Sequence, residues 1–385
     1  MQTAVLLLRF CYLFILPLPE RGNITFISRQ SDIPSEDIRL LAEAVQREIP
    51  QLEIRILTKE LKPGFWNKLS FCGHLLSQMY HISTSRFTVL DGYCIPASVL
   101  SHKRDNTIIQ MWHASCALKK FGWQTVGREA GSDPETAEIM QMHHNYDYVL
   151  APSKLTGKIY CEAFHTTEDK LQFMGPAHFV SLTRETPSLT QRIHAVYPEL
   201  EGKINLLYVP TFRKGSEIDL TPLTEKIDFE KYNLIVRPHV LAQIKEHRSE
   251  AIFDTVFSTY EWIKTADIVI TDYSSLAVDA AVANKRIYFY TYDREEYETE
   301  TGLNIRFEEE LISKYTACEA EALMTLIQEP YDYEVLNEFK RRYVEIIPER
   351  ACEDFADLLM KIYNENEKCR NILDMKNMPP LWLHG

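Results

Sequence analysis

Four apolar, β-rich runs in this sequence end in residues able to handle a phosphate or a proton. TIIQM runs into Trp112 and His113, LLYVP into Thr211 and Arg213, NLIV into Arg237, Pro238 and His239, and DIVIT into Asp272, Ser274 and Ser275. The carboxyl ends of strands in an open α/β sheet face the ligand, so each run delivers polar groups to the edge where chemistry takes place. A single histidine after a strand is more often a loop or capping residue. Several such ends carry more meaning: Arg213 and Arg237 can grip phosphate oxygens as planar forks, and histidine can donate to one or take up a proton near neutral pH. In TDYSSLAVDAAVA, a turn over Thr271–Ser275 feeds a small-residue helix with Ser274 or Ser275 as N-cap. Hydroxyls, backbone N–H groups and the positive end of a helix dipole then converge, which suits a phosphate or pyrophosphate. An ordinary capped helix would explain the serines but not the cations arriving beside them.

These residues need two sets of parallel strands to hold them. NITFISRQ reads as a strand and SEDIRLLAEAVQREI as a helix with Ser35 as N-cap; LEIRIL, RFTVLDG, TIIQMW, YDYVLAPS and LQFMG follow as further strands. The alternation lapses between about Pro187 and Gly202, then resumes with KINLLYVPTFRKG, YNLIVRPHV, DIVITDYSS and RIYFYTYD. The expectation is an α/β protein of two doubly wound, Rossmann-like halves facing a cleft, one over residues 21–195 and one over 196–345. A helical tail, residues 346–385, packs back on the first half. In IIQMWHASCALKKFGWQT the strand gives way after Trp112, His113 and Ser115 to a helix-like segment. Lys119 and Lys120 read there as helix-face or anion-steering residues.

Composition narrows the chemistry. The 385 residues are 45% hydrophobic, enough for two cores, and the net charge of −13 disfavours nucleic acid as a partner. An anionic ligand must therefore be met by a local cationic site. The eight cysteines form no C-x-x-C pair and read as reduced residues of a cytosolic protein, while the adjacent His143 and His144 cannot share one helix face as metal ligands do. No metal site is expected. The absence of any G-x-G, G-K-[ST] or G-x-S-x-G sequence argues against common NAD enzymes, P-loop enzymes and α/β-hydrolases.

The most apolar segment is MQTAVLLLRFCYLFILPLPERG at the amino terminus; residues 1–20 are too short for a spanning helix and are interrupted by Arg9 before Pro17 and Pro19. A buried first helix, a membrane-surface helix and a signal anchor remain open. Between Gln51 and Arg104 seven cationic residues face three acids, and KPGFWNKLSFCGHLLSQMY mixes them with aromatics. Such a segment can lie on an anionic bilayer or can be a solvated helix whose apolar side faces the core.

MWHASCALKKFG, LYVPTFR, VRPH and ADIVITDYSSLAVDAAVANKRIYFYTYDREEY, in this order and spacing, resemble the CDP-glycerol glycerophosphotransferase family of wall teichoic acid synthesis, over about residues 20–310. The resemblance implies a two-Rossmann GT-B fold and transfer of glycerol phosphate, or ribitol phosphate, from CDP-glycerol or CDP-ribitol. CMP leaves. By the same resemblance, the acceptor is expected to be a hydroxyl of an undecaprenyl-diphosphate-linked saccharide at the cytoplasmic face of the membrane, and the enzyme is expected to be peripheral. His113 matches the family's candidate general base and His239 its second essential histidine, while Thr211, Arg213, Arg237, Asp272, Ser274 and Ser275 match the donor-binding region. Trp112, Ser115, Lys119 and Lys120 fall on the acceptor or steering side.

The implied chemistry fits the residues. An acceptor hydroxyl attacking the β-phosphorus calls for a base near neutrality, and cations stabilise the developing charge, so no cofactor is required although magnesium can be accommodated. Two departures stand out. The family's W-H-G-T-P-L-K has Ala114, Ser115 and Cys116 here, and its G-x-P-R-N-D segment is GPAHFVSL, Gly175–Leu182, with His178 in place. The short amino-terminal half favours adding one or a few units over a long polymer. Alternatives are a nucleotide-sugar glycosyltransferase of GT-B architecture and an inactive membrane-bound relative serving as a scaffold.

Overall fold

A computed structural model describes residues 1–61, 64–213, 217–238, 242–245 and 250–377. Six strands from the first part of the chain, β1 (Asn23–Ser28), β2 (Glu53–Thr58), β3 (Phe87–Leu90), β4 (Thr107–Gln110), β5 (Tyr148–Ala151) and β6 (Leu171–Phe173), form one parallel sheet in the order β2-β1-β3-β4-β5-β6. The second part supplies β7 (Ile204–Tyr208), a short pair β8 (Glu217–Ile218) and β10 (Gln243–Ile244), β9 (Tyr232–Val236), β11 (Ile268–Thr271), β12 (Arg286–Tyr290) and β13 (Thr316–Ala317). Its main sheet runs β13-β12-β11-β7-β9, again parallel. This is a GT-B-type arrangement of two doubly wound, Rossmann-like sheets, and each expected strand lies in one of them.

The strands read as near-continuous apolar runs because both faces are covered. On one face of the first sheet, Ile24, Phe26, Val89 and Ile109 pack against Ile38, Leu41 and Val45 of helix α2 (Glu36–Glu48) and against Phe355 and Leu359 of the helix Ala351–Asn377. Ile27, Leu90, Ile108 and Val149 point to the other face, toward Tyr160 and Phe164. Helix α2 starts where the sequence places it: the Ser35 hydroxyl accepts from the Ile38 N–H at 3.3 Å. The returning C-terminal helix is also held by Arg86, whose guanidinium lies 3.8 Å from the Tyr363 ring centroid and donates to the Tyr363 carbonyl.

Two local expectations give way. The lapse near residue 195 contains a helix, Leu189–Val196, which buries Leu189 and Ile193. Residues 113–121 are not helical, and the run ends in a single 3-10 turn, Gly122–Thr125. Lys119 instead forms an antiparallel bridge with Leu303, and the Leu118 carbonyl accepts from the Asn304 and Ile305 N–H groups. Pairing with the second half thus satisfies backbone groups that a helix would have satisfied internally.

Helix α1 (Gln2–Ile15) packs Val5 and Tyr12 against Met79, Val99 and Leu100, with Met79 carried on helix α3 (Phe65–Thr84). Leu6, Leu7, Phe10, Leu13 and Phe14 occupy its other side and are 58–70% exposed. The first-helix reading therefore holds for one face only. No helix among the described residues is long and apolar enough to cross a membrane.

Candidate active site

Strand order fixes where a ligand belongs. In the first sheet the chain moves from β1 outward to β2 and then back past β1 to β3, and in the second from β7 outward to β9 and back past β7 to β11. Each reversal opens a crevice at the carboxyl ends of the two strands around it. The first crevice receives Arg29 and Gln30 after β1, Gly92 and Tyr93 after β3, and Trp112 and His113 from the adjacent β4. The second receives Thr211–Arg213 after β7 and Asp272–Ser275 after β11. One cleft of about 710 Å³ is lined by both parts: Arg29, Tyr93, His113 and Lys119 on one wall, Phe212 and Arg213 on the other.

His113 is exposed in this cleft, and its Nδ1 lies 2.7 Å from the Asp91 carbonyl oxygen. A carbonyl only accepts, so at this shorter contact Nδ1 carries the hydrogen, the Gln30 amide nitrogen standing farther off at 3.2 Å, and Nε2 is the basic nitrogen of the neutral ring. The ring rests on Trp112 at 4.3 Å, and Trp112 stacks in turn on Phe121 at 4.7 Å. Trp112 holds a left-handed backbone, φ +59°, unusual for a bulky residue and a conformation found at ligand sites. The buried Gln110 side chain supports it, accepting from the Trp112 N–H at 2.9 Å and donating to the Gly92 carbonyl at 3.1 Å. Behind the base, burial pushes the Asp91 carboxyl up to about 6. His143, also on the cleft wall, is driven down to about 3 by burial, with Arg29 and His113 adding repulsion, so it is neutral at physiological pH.

The opposite wall is organised around Asp272, which is fully buried. Its carboxylate accepts from the Thr211 N–H and hydroxyl, the Tyr273 N–H and Arg213 Nη1. Arg213 also forms a two-point bridge to Asp293 at 2.7 and 3.0 Å, and its guanidinium sits among the rings of Tyr273, Tyr292 and Tyr297. Burial alone would lower its pKa, but the Asp272 charge and the Asp293 bond outweigh that and raise it. The expected phosphate-gripping fork thus meets the cleft with its charge already matched by two carboxylates. Asp272 and Thr211 are likewise the knot that fixes the crevice rather than groups exposed to a ligand.

Arg237 donates to both the carbonyl and the carboxylate of Asp254, an anchor shared with Trp262 and Tyr197. Ser274 accepts from the Leu276 N–H at 3.3 Å, whereas Ser275 makes no side-chain cap; both are half-buried. The helix they open, Leu276–Val282, has seven residues, so its dipole adds little at that turn. Ser115 is 1% exposed and off the cleft wall. Lys119 and Lys120 line the cleft, and burial lowers the pKa of Lys119 while Asp272 opposes the fall. His239 lies outside the described residues.

The two residues that replace family glycine and proline have structural roles. The Ala114 carbonyl accepts from the Tyr160 hydroxyl at 3.0 Å, and Cys116, 2% exposed, packs in the core of the second half. Sequence reading passed over Arg29, Tyr93 and Asp37. Arg29 carried the same signal as His113, a polar residue immediately past an apolar strand, and sits 5.4 Å from the Tyr93 ring centroid. Among the described residues the cleft wall has Arg29, Lys119 and Lys120 without an ion pair, against the single acid Glu300. A chain that is acidic overall therefore presents a cationic cleft.

Residues 10–361 match the family described as CDP-glycerol:poly(glycerophosphate) glycerophosphotransferase. The chain is 28% identical over 308 residues to a teichoic acid ribitol-phosphate primase of Bacillus spizizenii, covering 76% of this chain and 79% of that protein. It is also 28% identical over 279 residues to a teichoic acid glycerol-phosphate primase of Bacillus subtilis, covering 70% and 72%. Among solved structures, the wall teichoic acid polymerase TagF superposes with a TM-score of 0.72 at 20% identity over 95% of this chain and 97% of that one.

Proposed function

We propose that this chain, which belongs to the CDP-glycerol:poly(glycerophosphate) glycerophosphotransferase family, transfers glycerol phosphate or ribitol phosphate from a CDP-activated donor to a lipid-linked saccharide, releasing CMP. The observation that carries this reading is the meeting of both strand-order crevices in one cationic cleft, with the basic nitrogen of His113 on one wall. Acceptor hydroxyl oxygen attacks the β-phosphorus. His113 Nε2 takes the hydroxyl proton, the new O–P bond forms, the bond from the β-phosphorus to the bridging oxygen breaks, and CMP departs with that oxygen. Arg29, Lys119 and Lys120 offset the charge that spreads over the phosphoryl oxygens, while Ser274 and Ser275 donate to the donor phosphates; His239 acts there by resemblance. No resident cofactor is required, and a magnesium ion would arrive with the diphosphate of the donor.

The exposed face of helix α1 supports a membrane partner. Its exposed Leu6, Leu7, Phe10, Leu13 and Phe14 can enter the headgroup boundary of an anionic bilayer while Met1, at its start, lines the cleft. A lipid-linked acceptor would then reach His113 without leaving the membrane, and the enzyme adds one or a few units. The test is CMP release from CDP-glycerol and CDP-ribitol with a lipid disaccharide acceptor, against UDP release from UDP-sugars. His113→Ala is expected to abolish CMP release with the circular dichroism spectrum unchanged. UDP release alone, or near wild-type turnover in His113→Ala, would overturn the reading.

A further inference from the structure

The helix His178–Thr183 packs against α2 and the C-terminal helix on one side and against the helices Thr259–Thr265 and Leu276–Val282 on the other. At its first residue both halves of the protein meet in one buried side chain. His178 Nδ1 lies 2.9 and 3.0 Å from the two carboxylate oxygens of Asp37 on α2, and the His178 backbone N–H donates to the same carboxylate at 2.8 Å. Its Nε2 lies 2.8 Å from Asp279 Oδ1, on the helix that follows Ser275, and its ring stacks on Tyr260 at 4.3 Å and 11°. Carboxylates only accept, so a ring facing one through each nitrogen carries a hydrogen on both and is a cation.

The cluster has a third arm. Ser115 donates to Asp279 Oδ1 and sits 3.1 Å from His178 Nε2. Ser115 is two residues from His113, and Asp279 is four residues from Ser275. The loop bearing His113 and the helix that opens at Ser274 and Ser275 are thereby fixed to one cation, and through Asp37 to the first sheet. Buried charge clusters are weak stabilisers compared with apolar packing of the same volume. What they supply that apolar packing does not is direction: each bond has one donor, one acceptor and a narrow range of angles. A 1 Å error in placing a catalytic group costs on the order of a hundredfold in rate.

We propose that His178 is a positioning residue for the transfer reaction, holding the His113 loop in register with the donor-side helix through Ser115 and Asp279. The proposal rests on the function put forward above. The test measures kcat for CMP release, KM for the CDP donor and donor affinity by calorimetry, in the wild type, Ser115→Ala, Ser115→Thr, His178→Asn and the double variant Ser115→Ala/His178→Asn. Ser115→Ala removes one hydroxyl and spares the charge pair, so folding is retained. It should lower kcat by about tenfold or more with donor affinity within about twofold, and Ser115→Thr should recover most of the loss. The double variant should be no slower than His178→Asn. Wild-type kcat in Ser115→Ala, a loss confined to donor affinity, or single losses that multiply in the double variant would each overturn the positioning role. A wild type that releases CMP from neither CDP-glycerol nor CDP-ribitol overturns the function and this proposal with it.

Discussion

Raising the pH from 7 to 9 should selectively weaken the contact between the two halves at His178. Burial by itself would depress the imidazole, but the charges of Asp37 and Asp279 outweigh it and raise the pKa from 6.5 to about 10. A raised folded-state pKa stabilises the fold fully below the unfolded value of 6.5, and that stability disappears as the pH climbs through the folded value. At about 1.4 kcal/mol per unit, roughly 4 kcal/mol is present at pH 7 and roughly 1 kcal/mol at pH 9, a loss on the order of 2–3 kcal/mol. The depressed pKa of Asp37, where burial is outweighed by His178, expresses the same interaction and is not added again. The groups that face the ring are Asp37 on α2, Asp279 and Ser115, with Tyr260 beneath it. Urea unfolding of the wild type and His178→Arg at pH 7, 8 and 9 isolates the effect, because the arginine keeps its charge across that range and the two carboxylates face a cation in both proteins at pH 7. The wild type should lose about 2–3 kcal/mol relative to the variant across that range. A gap that stays constant would mean that His178 is not protonated in the fold, and the charge argument would fail.

Three further outcomes follow from the same geometry. Asp272→Asn keeps the Arg213–Asp293 bridge but leaves buried donors of Thr211 and Arg213 facing an amide, and should cost about 1–3 kcal/mol, read as a lowered unfolding midpoint, whereas an unchanged midpoint would mean that the Thr211–Asp272–Arg213 knot does not hold the second crevice. Gly122 has φ +57° and a Cβ there would collide with the Ala163 backbone carbonyl; Gly122→Ala should destabilise by about 2 kcal/mol or more, checked by thermal melting. Replacing Leu6, Phe10 and Phe14 with glutamate should abolish flotation with vesicles containing anionic lipid while leaving turnover on a water-soluble acceptor intact, and undiminished flotation would assign membrane contact to another surface.

The fold was legible because its signals are local. Each parallel strand is a short apolar run closed by polar residues, and the Ser35 cap and the small-residue helix after Ser275 can be read from consecutive positions. The site was legible only as a set of strand ends. Whether a strand-end side chain faces a ligand or a neighbouring carboxylate depends on residues far away in sequence: Asp293 lies 80 positions from Arg213, and no periodicity links them. Arg213 therefore read as a phosphate fork although its charge is matched within the protein. His178 failed to stand out for the same reason, since its partners lie 141 and 101 positions away and its segment looked only like a departure from the family's G-x-P-R-N-D. The departure itself points to the physical requirement. Asp37 and Asp279 converge on that position from opposite halves, and two buried carboxylates so close to one point cannot both stay ionised without a cation between them. An arginine meets that requirement at every pH; a histidine meets it only while protonated. If that substitution matters, His178→Arg should flatten the alkaline loss of stability between pH 7 and 9 rather than deepen it, and urea midpoints over that range decide the point.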